Sequence, residues 1–290
     1  MGDAPQAISL TPDGRFLAVA HGTENPAVEE LRILEVQSDA TLQQVSLQLV
    51  PDSPLDLTWL SNDILAVTET DFFDSFARTF QYDATGGQLT QVDAAVSGGF
   101  NTRLATARDN SLLFANNTLG DNSIFAYTVE AGGQLTTVDN ELTFPVAAVN
   151  ILASRDGNFL YGAGGISGDG HRIPAYSIDA AGALEPLAAG SFTSPGESPS
   201  ILAITEDDQF LLAGHGGDGS IHSFLRDTST GELTSTGFSF SVGGQGDLGD
   251  LMVMGDLVFA TDEGSFGSNS GLRTLRVNAD GSFTLSLIHI

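Results

Sequence analysis

The amino-acid sequence predicts an all-β protein, a β-propeller of four-stranded antiparallel blades, because it repeats itself six times. In each repeat a polar turn precedes a short apolar run, and a second apolar anchor follows the run. Successive runs begin 48, 48, 47, 51 and 47 residues apart. They begin at Phe16, Ile64, Leu112, Phe159, Phe210 and Leu257. A period of this length is typical of one propeller blade per repeat.

Each repeat contains the signals of four strands. Turns such as Thr11-Pro-Asp-Gly and Ser154-Arg-Asp-Gly precede the apolar runs, and Asp and Gly favour tight turns. The second anchors are Leu34, Phe80, Tyr127, Tyr176, Phe224 and Leu275. A further turn that contains Gly follows in most repeats, as in Gly132-Gly-Gln-Leu135. One such sheet cannot bury both of its faces alone, so we expect the blades to stack with the anchors between them.

Two other architectures fit the sequence less well. A β-sandwich has no reason to repeat itself six times. Helical repeats conflict with the Gly and β-branched residues that fill the runs.

Composition narrows the range of partners. The chain has 290 residues, with 37 acidic residues against 10 basic ones, all Arg, and a formal charge of -27. This charge repels nucleic acids and anionic membrane surfaces, so we expect neither as a partner. The sequence contains no Cys, which excludes disulfides, thiolate metal sites and a cysteine nucleophile. We expect a monomer that binds a small molecule or a protein, in the periplasm or outside the cell rather than in the cytoplasm.

The fifth repeat carries a resemblance to a known family. Its residues Ser198-Pro-Ser-Ile-Leu-Ala-Ile-Thr-Glu-Asp-Asp-Gln-Phe-Leu-Leu-Ala-Gly, followed by Ser220-Ile-His-Ser-Phe224, resemble one blade of the lactonase-type propellers. That family includes 6-phosphogluconolactonase-like proteins and the YVTN-repeat surface proteins. The resemblance covers essentially the whole chain, and it implies a lactone hydrolase, a lactonizing enzyme or a repeat protein without chemistry.

The number of blades is a separate question, because the family usually has seven and six repeats are visible here. A complete six-bladed ring and a fragment that lacks one blade are both compatible with the sequence. The last residues, Leu285-Ser-Leu-Ile-His-Ile290, look like translated adapter sequence. We therefore expect one propeller domain over residues 1–284, a non-native tail over 285–290, and a fragment of a larger ring.

Propellers bind ligands at the mouth of the central channel, on the loops that follow the second strands. The position five residues after each run begins is equivalent in all six repeats. It holds His21, Glu69, Asn117, Gly164, His215 and Asp262. Because all but Gly164 are polar, the sequence predicts a shared polar site there, although loop-opening positions are often polar for structural reasons alone.

Hydrolysis of a lactone requires a group that activates water and a group that holds negative charge. We predict His21, Glu69, Arg103 and His215 as catalytic residues, and Asn117, His171, Arg172 and Asp262 as substrate-binding residues. Arg103 is of particular interest, because lactonase-type proteins often carry a basic residue near this place on an inner strand. A salt bridge to one of the many carboxylates is an equally simple role for it.

No cofactor is expected from the sequence. The alternative is Ca²⁺ or another divalent cation in the channel, for which Glu69, Asn117 and Asp262 carry suitable oxygen donors. No serine nucleophile elbow, phosphate-binding loop or HExxH motif is present. Two functions therefore remain, a hydrolase of a small sugar-acid lactone and a binding scaffold without catalysis.

Overall fold

A computed structural model describes residues 5–22, 29–71, 73–99, 101–118, 123–143, 148–164, 170–242, 248–262 and 271–286. The side chains of residues 101, 102, 139–143 and 262 lie outside this description. The described residues contain no helix, so none is long and apolar enough to span a membrane. All regular structure in them is β.

The described strands form six antiparallel sheets of four strands each, one for each sequence repeat. We number these sheets as blades 1 to 6 in chain order. Blade 1 contains β1 (Pro5–Leu10), β2 (Phe16–His21), β3 (Glu30–Val36) and β4 (Leu42–Leu49). Blade 2 contains β5 (Ser53–Trp59), β6 (Ile64–Thr70), β7 (Ser75–Asp83) and β8 (Gln88–Val96). Blade 3 contains β9 (Asn101–Ala107), β10 (Leu112–Asn117), β11 (Ser123–Val129) and β12 (Leu135–Thr143).

The second half of the chain repeats this pattern. Blade 4 contains β13 (Asn150–Ala153), β14 (Phe159–Ala163), β15 (Arg172–Ile178) and β16 (Leu184–Thr193). Blade 5 contains β17 (Pro199–Ile204), β18 (Phe210–His215), β19 (Ser220–Arg226) and β20 (Leu233–Ser241). Blade 6 contains β21 (Leu248–Met254), β22 (Leu257–Asp262), β23 (Gly271–Val277) and β24 (Phe283–Leu285). Blades 1–3 belong to one compact unit, residues 1–143, and blades 4–6 to another, residues 144–290.

The predicted turn before each apolar run has a specific hydrogen-bond structure. In blade 1 the Thr11 hydroxyl donates to Asp13 Oδ1 at 2.7 Å and accepts the backbone N–H of Phe16 at 3.0 Å. Ser154 and Thr205 make the same pair of contacts in blades 4 and 5. The side chains therefore satisfy backbone groups that the turn leaves without a strand partner.

The apolar runs pack where neighbouring blades meet. Phe159 of blade 4 lies under Gly231 in the last turn of blade 5, where an added Cβ would come within 2.3 Å of its ring. Gly231 also has a positive φ of 74°, and its carbonyl accepts the Tyr161 hydroxyl of blade 4 at 2.9 Å. Glycine is required here both for this backbone conformation and for the close approach.

Two anchors depart from the predicted burial. Five of the six run-opening residues are buried, but Leu257 of blade 6 is only partly buried, and so is the second anchor Leu34 of blade 1. Both lie on faces that no sequence-adjacent blade covers. Ile8 and Met252 on β1 and β21 are accordingly 66 % and 56 % exposed. Burial of an anchor therefore depends on a neighbouring blade as well as on its own sheet.

The first strands share an irregularity. In blades 1, 2, 3, 5 and 6 the pairing between the first and second strands shifts register near the beginning of the first strand, as between Pro54 and Asp56. Such β-bulges change the direction in which side chains point. Each bulge lies at the same end of its blade as the predicted site residues.

Candidate functional site

The predicted site residues lie at one end of each blade, which we call the loop end. At this end the second strand finishes, the first strand begins, and the loops between successive blades cross. His21, Glu69, Asn117 and His215 pair there with the first residues of the inner strands. Their exposed fractions are 8, 0, 4 and 0 %. The structure therefore places them at equivalent positions but buries them, and their role in a site stays a prediction.

Glu69 lies beneath the loop that joins blades 1 and 2. Arg78 Nε is 2.9 Å from Glu69 Oε2, and Arg78 Nη2 is 3.0 Å from Oδ2 of Asp52 in that loop. Neither Glu69 oxygen receives a well-aligned hydrogen bond from the described residues. Burial, opposed by the positive charge of Arg78, raises the pKa of Glu69 to about 7. This carboxyl can therefore gain and lose a proton near neutral pH.

His21 occupies the same position in blade 1. It lies near Arg32, whose Nε donates to Glu30 Oε1 at 2.6 Å. Burial, together with the positive charge of Arg32, lowers the pKa of the His21 imidazole. His21 is consequently a neutral side chain at pH 7.

Arg103 lies within the β-bulge of the inner strand of blade 3. The pairing passes from Asn101–Asn117 to Leu104–Ala115, so Arg103 has no direct partner on β10. Its side chain is partly exposed and makes no ion pair with the described residues. Arg155, Arg172 and Arg273 also make no ion pair with the described residues; of these, Arg155 and Arg273 donate to backbone carbonyls and Arg172 donates to a hydroxyl. The prediction that it faces a channel stays a prediction.

Asn117 supports a loop in the same blade. It packs beneath Gly98, between blades 2 and 3, where an added Cβ would come within 2.7 Å of Asn117 Nδ2. Glu69, Asn117 and His215 thus all lie under a loop that enters their blade. This shared arrangement is a structural role that the sequence did not reveal.

His215 is held by neutral groups in blade 5. Its Nδ1 lies 3.1 Å from the Ser220 carbonyl and its Nε2 lies 2.7 Å from the Ser194 hydroxyl. A carbonyl can only accept, so Nδ1 carries the proton and Nε2 accepts from Ser194. Burial lowers the pKa of His215 to about 4. At neutral pH His215 is therefore an uncharged support for the loop over it.

His171 and Arg172 lie at the loop end of blade 4 and are exposed. His171 Nδ1 is 2.7 Å from the carbonyl of Gly196, in the loop above His215. Arg172 Nη1 donates to the Ser191 hydroxyl at 3.3 Å. Asp262 belongs to β22, but its side chain lies outside the described residues. The predicted set is therefore divided, with His21, Glu69, Arg103 and Asn117 in the first unit and the other four in the second.

Two further residues, Arg78 and His222, occupy one position of the repeat that the spacing of the apolar runs does not mark. Arg78 pairs with Val67 on β6, and His222 pairs with Ala213 on β18. The rings of His222 and His215 are 5.0 Å apart and nearly perpendicular. The strand partners of Arg78 and His222 are thus two residues before the buried Glu69 and His215, respectively. Aligning the third strands of the repeats, instead of only the runs, would have found them.

The part of the chain that the structure describes contains no group of three or more His, Asp or Glu side chains able to hold a metal ion. The cation alternative combined Glu69 and Asn117 with Asp262. Glu69 pairs instead with Arg78. Because the Asp262 side chain lies outside the described residues, the cation alternative stays a prediction.

A family of known proteins matches this arrangement of repeats. The model of the lactonase, 7-bladed beta-propeller family matches residues 63–187 and 145–248. Together these matches cover residues 63–248, more than half of the 290-residue chain. The chain belongs to this lactonase propeller family. The described residues contain six of the blades of which the family has seven.

Solved structures give the same fold. Among them, the periplasmic gluconolactonase PpgL of Pseudomonas aeruginosa is 19 % identical, with a TM-score of 0.80, over 99 % of this chain and 85 % of that one. A putative 6-phosphogluconolactonase from Bacteroides fragilis is 17 % identical, with a TM-score of 0.54, over 82 % of this chain and 84 % of that one.

Propellers with other descriptions match as well. Sqt1 from Chaetomium thermophilum is 14 % identical, with a TM-score of 0.69, over 97 % of this chain and 71 % of that one. No curated protein matches in sequence. At these identities the structural likeness concerns the fold alone, so the lactonase family rests on the sequence match.

Proposed function

We propose that this lactonase-family propeller hydrolyses a small sugar-acid lactone that carries an anionic group, as 6-phosphogluconolactone does. The observation that carries the proposal is the Arg103 guanidinium, partly exposed in a bulge of blade 3 and without an ion pair to the described residues. Guanidinium groups bind phosphate and carboxylate through two parallel hydrogen bonds. Because the net charge of the chain repels anions, an anionic lactone would need a local positive group, and Arg103 can supply one.

Glu69 is the proposed general base. Its carboxylate takes a proton from water while the water oxygen bonds to the lactone carbonyl carbon. The ring C–O bond then breaks and the leaving oxygen receives the proton from Glu69, which leaves a hydroxy acid. A pKa of about 7 suits both transfers at neutral pH. Because Glu69 is completely buried, this role requires the loop that Asp52 ties to Arg78 to move when substrate enters.

Neighbouring strands connect the two proposed residues. Thr68, next to Glu69, accepts the backbone N–H of Asp56 at 3.1 Å. Asp56 Oδ2 in turn accepts the backbone N–H of Leu104, next to Arg103, at 2.8 Å. Glu69 and Arg103 therefore lie at the loop ends of adjacent blades in one compact unit. The likeness to the periplasmic PpgL also leads us to propose a periplasmic or extracellular location.

The test compares hydrolysis of 6-phosphogluconolactone and gluconolactone, each corrected for spontaneous hydrolysis. We expect Arg103→Ala to lower kcat/KM for the phosphorylated lactone by about 10- to 100-fold, the value of one charge-assisted contact. Arg15→Ala is the matched control, since it removes an equal charge from an exposed position at the opposite end of blade 1. It should leave the rate unchanged.

Two results would contradict the proposal, the first its hydrolase activity and the second the role of Arg103. Hydrolysis by the parent protein at only the spontaneous rate would support the alternative, a binding scaffold in which Glu69 and His215 merely support loops. Equal rates for the parent and Arg103→Ala on the phosphorylated lactone would remove Arg103 from the site.

A further inference from the structure

The backbone at Arg103 is held by two side chains from different blades. The N–H of Arg103 donates to Asn116 Oδ1 at 2.8 Å, and the N–H of Leu104 donates to Asp56 Oδ2, also at 2.8 Å. Asn116 belongs to the same blade, whereas Asp56 lies on the inner strand of blade 2. Two consecutive N–H groups in a bulge are thus satisfied by side chains and not by a regular strand ladder.

The same position in blade 5, in the second unit, has a weaker arrangement. In blade 5 the N–H of Leu202 donates to Asn150 Oδ1 of blade 4 at 3.3 Å. Leu202 pairs with Ala213, as Leu104 pairs with Ala115, so the two positions correspond. However, blade 5 has Gly214 where blade 3 has Asn116, and Ile201 where blade 3 has Arg103. Of these two equivalent places, the doubly held backbone is the one that carries the arginine.

From this difference we infer that Asp56 and Asn116 are positioning residues that hold Arg103 ready for an oxyanion, a phosphate or a carboxylate group of the ligand. The inference rests on the proposed function and names the group that the site recognises. A bulge without these two acceptors would leave the backbone of Arg103 free to turn. Fixing it beforehand lowers the ordering cost of binding and aligns the guanidinium with the anion.

The experiment measures the dissociation constant of 6-phosphogluconate by calorimetry, together with KM and kcat for its lactone. We expect Asp56→Ala and Asn116→Ala each to weaken binding and raise KM about 5- to 10-fold, while kcat changes less than about twofold, because misalignment affects the anion contact and not the proton transfer. Asp56→Asn should bind as the parent does, because an Asn side chain can accept the same backbone N–H, as Asn150 of blade 4 does from Leu202.

Asn150→Ala is the matched control. It removes the equivalent tether between blades 4 and 5, so it reports the general cost of losing such a contact. It should lower the thermal midpoint as Asp56→Ala does but leave the affinity for 6-phosphogluconate unchanged. In an Arg103→Ala background, Asp56→Ala should weaken binding no further, because both changes act through one side chain.

The outcomes separate this inference from the proposed function. Binding of 6-phosphogluconate that depends on Arg103 and Asp56, without turnover, keeps the positioning role and overturns the hydrolase. Turnover with equal effects of Asp56→Ala and Asn150→Ala keeps the hydrolase and overturns the positioning role. Absence of 6-phosphogluconate binding overturns the inference, and Asn116→Ala decides the matter if Asp56→Ala does not fold.

Discussion

Glu69 in blade 2 and His215 in blade 5 occupy the same position of the repeat, and both are completely buried under a loop that enters their blade. Burial shifts each side chain towards its neutral form, in opposite directions. The pKa of Glu69 rises to about 7, and the pKa of His215 falls to about 4. The position in the fold thus determines that the side chain is buried. Whether burial raises or lowers its pKa depends on whether the side chain is an acid or a base.

The partners of the two residues differ as well. Glu69 faces the charged groups of Arg78 and Asp52, while His215 is bonded to a hydroxyl and a carbonyl. His215 therefore has neutral partners for both of its nitrogens and titrates well below neutral pH. Glu69 has a charged environment and titrates where a general base is useful. Equivalent positions in a repeat can therefore hold a side chain that is neutral at pH 7 in one blade and a group that titrates near pH 7 in another.

The largest expected effect concerns lactone hydrolysis. Glu69→Gln should lower kcat by about 10²- to 10⁴-fold, the usual contribution of a general base. His215→Asn should change kcat less than about fivefold, or ~1 kcal/mol, because blade 3 already uses Asn117 at this position. Rates corrected for spontaneous hydrolysis test both variants together. Equal losses would show that the two residues share a role, contrary to the comparison.

His215 should make folding sensitive to acid. Its folded pKa of about 4 lies below the ordinary value of 6.5, so the unfolded chain binds the proton first as the pH falls. Stability should be complete above pH 6.5 and decrease by up to ~3 kcal/mol as the pH falls to about 4. Urea denaturation of the parent and His215→Asn across this window measures the effect. Parallel pH profiles for the two proteins would contradict it.

Glu69 should produce the opposite dependence at a similar size. The folded chain holds the proton up to about pH 7, whereas the unfolded chain releases it near 4.5. Stability should therefore decrease by up to ~3 kcal/mol as the pH rises from 4.5 to 7. Glu69→Gln resembles the protonated form and should lack this decrease. Its stability relative to the parent should therefore be higher at pH 8 than at pH 5. If the difference in stability between the two proteins did not change with pH, burial would not be raising the pKa of Glu69.

A smaller effect is expected from the loop above His215. An added Cβ at Gly196 would come within 2.5 Å of the His215 ring, so Gly196→Ala should cost about 2 kcal/mol. It should also move the pKa of His215 back towards 6.5, because the displaced loop admits water. Gly216→Ala is the control, as its nearest contact is Ser200 Oγ at 3.3 Å. NMR titration of the imidazole and thermal denaturation distinguish the two variants.

The sequence repeat alone is sufficient to predict the fold. The spacing of Phe16, Ile64, Leu112 and the later runs predicts six four-stranded blades, because alternating strands and Asp–Gly turns are local features of the chain. Leu257 and Leu34 are the exceptions. Their exposure depends on which blade covers them, and a local pattern does not contain that information.

For the candidate site, the sequence predicts which residues occupy equivalent positions but not how they are buried. The equivalence of Glu69, Asn117 and His215 is visible in the sequence, since it follows from counting along each repeat. Their burial is not visible there, because the loops that cover them join each blade to the preceding one and reach these residues only when the chain folds.

Side-chain interactions between strands are harder still to predict from the sequence. The pairing of Glu69 with Arg78 and the hold of Asp56 on Leu104 join residues that are 9 and 48 positions apart. The sequence by itself determined the blades and the types of side chain at their loop ends. Only the tertiary structure decided which of those side chains are buried, which share a charge and which hold Arg103, because desolvation and hydrogen bonding depend on neighbours that folding brings together.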